Sequence, residues 1–159
     1  HLNFARKGLF IYGSRVNIRE SFVKTLFKKQ IISFNLFSKG IKKRTRAIRI
    51  PLLGVFFKSN PILSEKIRGC NLSFWREDVI KVNGYNESIE GWGREDSELI
   101  VRMLNNGCAG RRLRYQGVVY HIWHKEEPLD KFEENDKIQK LAQRKNLIWC
   151  EDGIDKYLI

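Results

Sequence analysis

A chain of 159 residues with 42% hydrophobic side chains has the length for one domain with its own core, which excludes a disordered tail. A net charge of +12 calls for either an anionic partner or a solvated basic face. No apolar run approaches the roughly 20 residues that a membrane span needs. Three widely spaced cysteines argue against a disulfide framework and a Cys-x-x-Cys zinc site, and for a reducing, cytoplasmic compartment.

In chain order, residues 9–16 read as a short buried strand closed by a bend at Gly13. Residues 21–37 place Phe22, Leu26, Phe27, Ile31, Phe34 and Phe37 at spacings near four, predicting one or two amphipathic helices capped by Ser21 and ended by Gly40. The basic run 42–49 is expected as a loop, and Pro51, Gly54 and Pro61 argue against a regular helix after it. Residues 70–74 read as a strand and 76–82 as a helix ended by the Asn83-Gly84 turn. A loop around Trp92 leads into a helix over 95–106, where Leu99, Ile100, Met103 and Leu104 give the apolar face and Gly107 the stop. Residues 112–123 alternate as one or two strands. Residues 132–147 form a last helix with Phe132, Ile138, Leu141 and Ala142 as its buried side. The content is α/β, with no internal repeat.

Charge is unevenly spread. Lys39, Lys42, Lys43, Arg44, Arg46 and Arg49 crowd one segment and Arg111, Arg112 and Arg114 another, while Glu87, Glu90, Glu95, Asp96 and Glu98 gather around Trp92. The first basic run suits an anionic membrane surface or a diphosphate-bearing donor or acceptor, against the plainer reading of a solvated loop. Aromatic residues do not alternate with it as a nucleic-acid surface requires, so nucleic acid is not expected as a partner.

The densest chemistry lies in Glu90-Gly91-Trp92-Gly93-Arg94-Glu95-Asp96. An indole offers a flat apolar face to a sugar ring, and Gly91 and Gly93 let backbone approach a ligand closely. Glu95 and Asp96 can accept sugar hydroxyls or take a proton from one, although acids in a first helical turn also simply complement the helix dipole. The second site is Val119-Tyr120-His121-Ile122-Trp123-His124. Residues i and i+3 of a strand face opposite ways, so His121 and His124 share a pocket only if the strand ends before His124.

Four ordered motifs carry a resemblance: Gly69-Cys70-Asn71-Leu72-Ser73 leading to Trp75-Arg76-Glu77-Asp78, then Val82-Asn83-Gly84-Tyr85, then Gly91-Trp92-Gly93-Arg94-Glu95-Asp96, then the strand ending in histidine. Their sequence resembles the C-terminal half of inverting GT-A glycosyltransferases, and more narrowly the bacterial family 2 enzymes that share this region with β-1,4-galactosyltransferases and chondroitin polymerases. The resemblance implies the acceptor-binding portion of a Rossmann-like GT-A fold. Because no Asp-x-Asp occurs in the 159 residues, the nucleotide-binding half is expected upstream. Residues 1–159 would then form a single fragment: a strand, helices and basic loop over 8–68, the acceptor and metal motifs over 69–124, and a helical extension over 125–159.

The implied activity is metal-dependent hexosyl transfer from a nucleotide-sugar donor to a saccharide or lipid-linked saccharide hydroxyl, in polysaccharide biosynthesis. Asp96 would be the general base, with Glu95, Trp92, Gly91, Gly93 and Asn71 at the acceptor. His121, with His124 as alternate, would help hold Mn²⁺ or Mg²⁺. Arg94 departs from the small residue that some relatives carry. The expected location is the cytoplasm, at the inner face of the membrane. Residues 1–159 alone are expected to be inactive and to self-associate through a strand near Gly8 stripped of its sheet neighbours. A non-catalytic carbohydrate-binding module and a basic membrane- or polyanion-docking module are the alternatives.

Overall fold

The computed structural model describes residues 1–158. Strand β1 (Leu9–Tyr12) is the middle of one three-stranded sheet, antiparallel to β4 (Leu72–Ser73) and parallel to β5 (Ala109–Arg112). Strand β2 (Ser14–Ile18) is the middle of a second, antiparallel to β3 (Ile41–Lys42) and parallel to β6 (Val118–His121). The single strand expected over 9–16 is therefore two, and the chain changes sheets at Gly13. There the Gly13 N–H donates to the Asn71 carbonyl at 2.9 Å and the Ser14 N–H to that of Gly117 at 2.7 Å. A Cβ on Gly13 would lie 2.2 Å from Asn71 Nδ2 and 2.3 Å from the Gly117 oxygen, so only glycine passes. Since β1 and β2 are both flanked on each side, the unpaired strand edge expected near Gly8 does not exist.

Period-2 alternation divides β2 cleanly. Val16 and Ile18 are buried with Leu26, Ile41 and Ala47, and Val118 and Tyr120 of β6 pack on the same side. Arg15 and Asn17 face the other way, beside Val119 and His121 in the parallel register. The first sheet has its own core, in which Phe10 and Tyr12 meet Val82, Leu99, Ile100, Met103 and Cys108.

Helix α1 (Glu20–Lys28) is shorter than the aromatic spacing predicts. Ser21 sits inside it, Arg19 takes the N-cap position without a side-chain bond, and Gln30 turns the chain at a φ of +48°. Phe34 still reaches the core, stacking on Tyr120 at 4.8 Å while the Tyr120 hydroxyl donates to the Phe34 carbonyl at 3.0 Å. Burial, not helix, set that spacing. Gly40, at a φ of +75°, belongs to the turn into β3 and ends no helix. The basic run is β3 followed by the 3₁₀ turn Arg44–Ala47, and Pro51–Phe56 is a second 3₁₀ turn. Of residues 70–74 only Leu72–Ser73 pair as strand, after the 3₁₀ turn Gly69–Asn71.

Helices α2 (Arg76–Lys81) and α3 (Glu95–Asn105) lie close to the expected bounds, with Asn83 and Gly84 at φ of +64° and +70° making the turn after α2. Glu98 is not part of the acidic surface around Trp92. It is buried against Arg102, whose Nε and Nη2 donate to its carboxylate at 2.8 and 2.7 Å. Arg102 also donates to the carbonyls of Val82 and Gly84, so this pair braces the Asn83-Gly84 turn from inside. Helix α4 (Phe132–Arg144) packs on α3. Its buried residues are Asn135, Gln139 and Ala142, while Leu141 is exposed, which corrects the expected apolar side. Among the described residues no helix is long and apolar enough to cross a membrane.

Candidate active site

The second sheet and the start of α3 face one cleft of about 1050 Å³. Trp92, Gly93, Glu95 and Asp96 line it from the start of α3, Arg15 and Asn17 from β2, and His121, Trp123 and His124 from the end of β6. Asp96 is fixed by one oxygen: Oδ2 accepts the Gly69 N–H at 2.9 Å. Its other oxygen has no hydrogen-bond partner among the described residues, which leaves a lone pair for a ligand hydroxyl. Glu95 is exposed beside it. Burial, then the charges of Asp96 and Glu95, push the Tyr85 phenol above its ordinary range, so Tyr85 stays a proton donor near the two acids.

The Trp92 loop is held by α4. Asn135 Nδ2 donates to the carbonyls of Glu90 and Gly93 at 2.9 and 3.0 Å, and Ser97 Oγ bonds Gln139. Arg94, in left-handed backbone at a φ of +78°, pairs with Asp136 at 2.6 Å and lies 4.8 Å over the Phe132 ring. Gly93 has a φ of +101°, and a Cβ there would meet Phe132 at 3.0 Å. Trp92 tilts against that same ring at 6.3 Å yet keeps 42% of its surface exposed, leaving indole free for a sugar face. Gly91, at a φ of +68°, shapes the loop without lining the cleft.

Asn71 does not join these residues. It is buried, and its Nδ2 donates to the carbonyls of Ser14 and Gly117 at 3.0 and 3.2 Å while Oδ1 meets His1 Nε2 at 3.0 Å. Its polar atoms are spent at the sheet junction.

The strand ends at His121, so His121 and His124 do share the cleft, their Nε2 atoms 3.2 Å apart. His124 Nδ1 lies 2.9 Å from the Lys125 carbonyl. A carbonyl only accepts, so Nδ1 carries a proton and Nε2 faces His121. Burial, then Arg15 and His124, hold the His121 pKa below the ordinary imidazole value, favouring the neutral ring. Two imidazoles in one cleft, one with its Nδ1 turned to a backbone carbonyl, match the donor set of a borderline divalent metal. Among the described residues no third His, Cys, Asp or Glu completes a cluster, so the pair would supply only part of a coordination shell.

Sequence reading missed Arg15, Asn17 and Lys42 as lining residues. For the first two the signal was present, as polar residues two apart within an otherwise apolar strand. Asn17 Oδ1 is buried without a partner at this wall.

Comparison with known proteins bears on this cleft. The family model described as the N-terminal domain of galactosyltransferase matches residues 56–125, which include the Asp96 turn and both histidines. The chain is also similar to chondroitin sulfate N-acetylgalactosaminyltransferase 1 of Mus musculus and of Homo sapiens, at 32% identity over 56 residues in each case. Those matches cover 35% of this chain and 10% of the relatives, so the chain aligns with about a tenth of their length. The cleft thus belongs to a glycosyltransferase-like domain of mixed α/β structure, and sugar transfer is the general chemistry that the similarity supports.

Proposed function

We propose that this domain is the acceptor and metal half of an inverting hexosyltransferase with Asp96 as general base. The observation that carries the reading is that Asp96, Trp92, His121 and His124, far apart in sequence, open onto one cleft. An acceptor sugar stacks on Trp92 and gives a hydroxyl to the free oxygen of Asp96, with Glu95 accepting a second hydroxyl. As the oxygen of the hydroxyl held by Asp96 bonds to the anomeric carbon of the donor, its proton passes to Asp96 and the carbon–oxygen bond to the nucleoside diphosphate breaks on the opposite face. The diphosphate leaves with the electron pair, and the anomeric configuration inverts.

His121 and His124 would hold a divalent cation, Mn²⁺ in preference to Mg²⁺ because imidazole suits the softer ion. Such an ion would supply charge neutralisation for the leaving diphosphate. Arg15 and Lys42 add positive charge along the same cleft. The remaining donor contacts, including the Asp-x-Asp of the resembling family, are assigned to chain outside residues 1–159. The reading places the protein in the cytoplasm, acting on a saccharide or lipid-linked acceptor.

The test is a transfer assay on the full-length protein with a panel of nucleotide sugars, with and without a chelator, reading product configuration by NMR. Metal-dependent transfer with inversion is the expected result. Retention of configuration removes Asp96 as base, and saccharide binding without turnover makes the domain a carbohydrate-binding module.

A further inference from the structure

Residues 21–64 contain ten Lys and Arg and no Asp or Glu, so most of the net charge of +12 sits in this one stretch. None of the ion pairs among the described residues uses any of the ten. Beside Lys43 stand Arg46, Arg15, Arg68 and Lys42, and their mutual repulsion, together with burial, lowers its pKa.

The same stretch exposes large apolar side chains. The 3₁₀ turn Pro51–Phe56 projects Leu52, Val55 and Phe56, of which Leu52 is 81% and Phe56 77% exposed. It is a braced projection. The Ile50 N–H donates to the Tyr115 carbonyl at 3.1 Å, and Gln116 Nε2 donates to the Pro51 carbonyl at 3.2 Å. Phe57 packs edge-on against Tyr115 at 5.9 Å. Gly54 alone of the turn is buried, with no room for a Cβ beside Gln116, so the fold turns the small residue inward and the large ones out. Arg49 and Lys58 flank the turn. Exposed Ile32 and Phe37 lie in the segment that Arg44 ties to the basic run through its bond to the Leu36 carbonyl at 3.0 Å.

We infer that Pro51–Phe56 and the cations around it form a docking surface for an anionic lipid bilayer. Leu52, Val55 and Phe56 enter the headgroup and acyl boundary, and Arg49 and Lys58, with Lys43 and Arg44 of the same stretch, face the anionic headgroups. Charge complementarity selects this occupant. A protruding apolar turn flanked in the chain by Arg49 and Lys58, in a stretch whose cations enter no ion pair among the described residues, matches a surface that is apolar below and negative above. A soluble anionic glycan would account for the cations and leave the outward leucine, valine and phenylalanine in water. The inference is independent of the catalytic assignment.

The experiment is co-sedimentation of the full-length protein with vesicles of phosphatidylcholine alone and of phosphatidylcholine with phosphatidylglycerol, across a salt series. The expected result is binding only to the anionic vesicles, weakening steeply with salt. The double variant Leu52→Ser/Phe56→Ser should bind at least about tenfold more weakly, since apolar insertion scales with buried area. Its transfer activity toward a soluble acceptor should be unchanged, which excludes misfolding. Equal binding by the double variant overturns the inference, as does retention on an immobilised soluble polyanion with no vesicle binding. Concentration-dependent dimers lost in the double variant would assign the surface to a second copy. Labelling of Phe56→Cys in vesicle-free full-length protein no faster than that of buried Cys108 would assign it to the rest of the chain.

Discussion

Residues 21–64 and the chain beyond Glu77 treat charge in opposite ways. Every acid in an ion pair among the described residues is Glu77 or later, and the pairs range from the exposed Lys7–Glu77 contact to the fully buried Glu98–Arg102. The earlier stretch has ten cations and enters none of those pairs. The Trp92 wall of the cleft is braced by the Arg94–Asp136 pair and fixes Asp96 through the Gly69 N–H. The other leaves Arg15 and Lys42 for something outside the fold. Preorganisation belongs to the first wall, and attraction of anions to the second.

The largest effect that can break this comparison is at the fixed wall. Asp96→Asn in the full-length protein is expected to lower kcat by about 10²- to 10⁴-fold, as loss of a general base does. Unfolding should be nearly unchanged, because the amide oxygen can still accept the Gly69 N–H. A large fall in melting temperature with kcat intact would return Asp96 to a purely structural role.

Next comes the buried pair. Arg102→Ala leaves Glu98 charged and unpaired at a site where Arg102 is 0% exposed. The expected loss is about 3–5 kcal/mol in denaturant unfolding. Loss of under about 1 kcal/mol, the median worth of an exposed pair, would show that the site is wetter than the packing implies.

A smaller effect separates the junction from the cleft. Asn71→Ala strips donors from the buried carbonyls of Ser14 and Gly117 and should cost about 1–3 kcal/mol. The acceptor KM should stay at the parent value, and a raised KM with unchanged stability would put Asn71 back at the acceptor.

The finest shift concerns the open wall. Because His121 is held below its ordinary pKa, protons compete with metal only below about 6.5, so the acid limb of Mn²⁺ activation should lie under that value. The sign for stability agrees. The unfolded chain takes the proton first as pH falls, so the contribution of neutral His121 is present above the ordinary value and lost below it. Burial is the first cause and Arg15 the second, so Arg15→Gln should move the limb upward, and an unmoved limb would remove Arg15 from the electrostatics of the site.

Legibility in the sequence followed how local the cause was. Helix α3 was readable because its acidic first turn, apolar period and Gly107 stop all lie close together in the chain, and the Asn83-Gly84 turn needed only two residues. The change of sheets at Gly13 was not readable, since Asn71 and Gly117, which enforce it, are remote in sequence. Helix α1 was overextended because Ile31 and Phe34 keep core spacing while leaving the helix, and periodicity reports burial more directly than conformation. Trp92, Glu95, Asp96 and the two histidines were named from motifs. Their meeting in one cleft needed the parallel pairing of β2 with β6, which no motif carries.

The anchoring of the Trp92 loop by α4 has a practical consequence for engineering. The left-handed Arg94, the glycine at position 93 and the exposed indole are held from Phe132, Asn135 and Asp136, not from the loop itself. A chimera that transplants residues 90–96 into another scaffold carries the recognition chemistry without its splint. The transferable unit is the pair of segments, and a specificity swap has to cut the chain after Arg144, not after the aspartate.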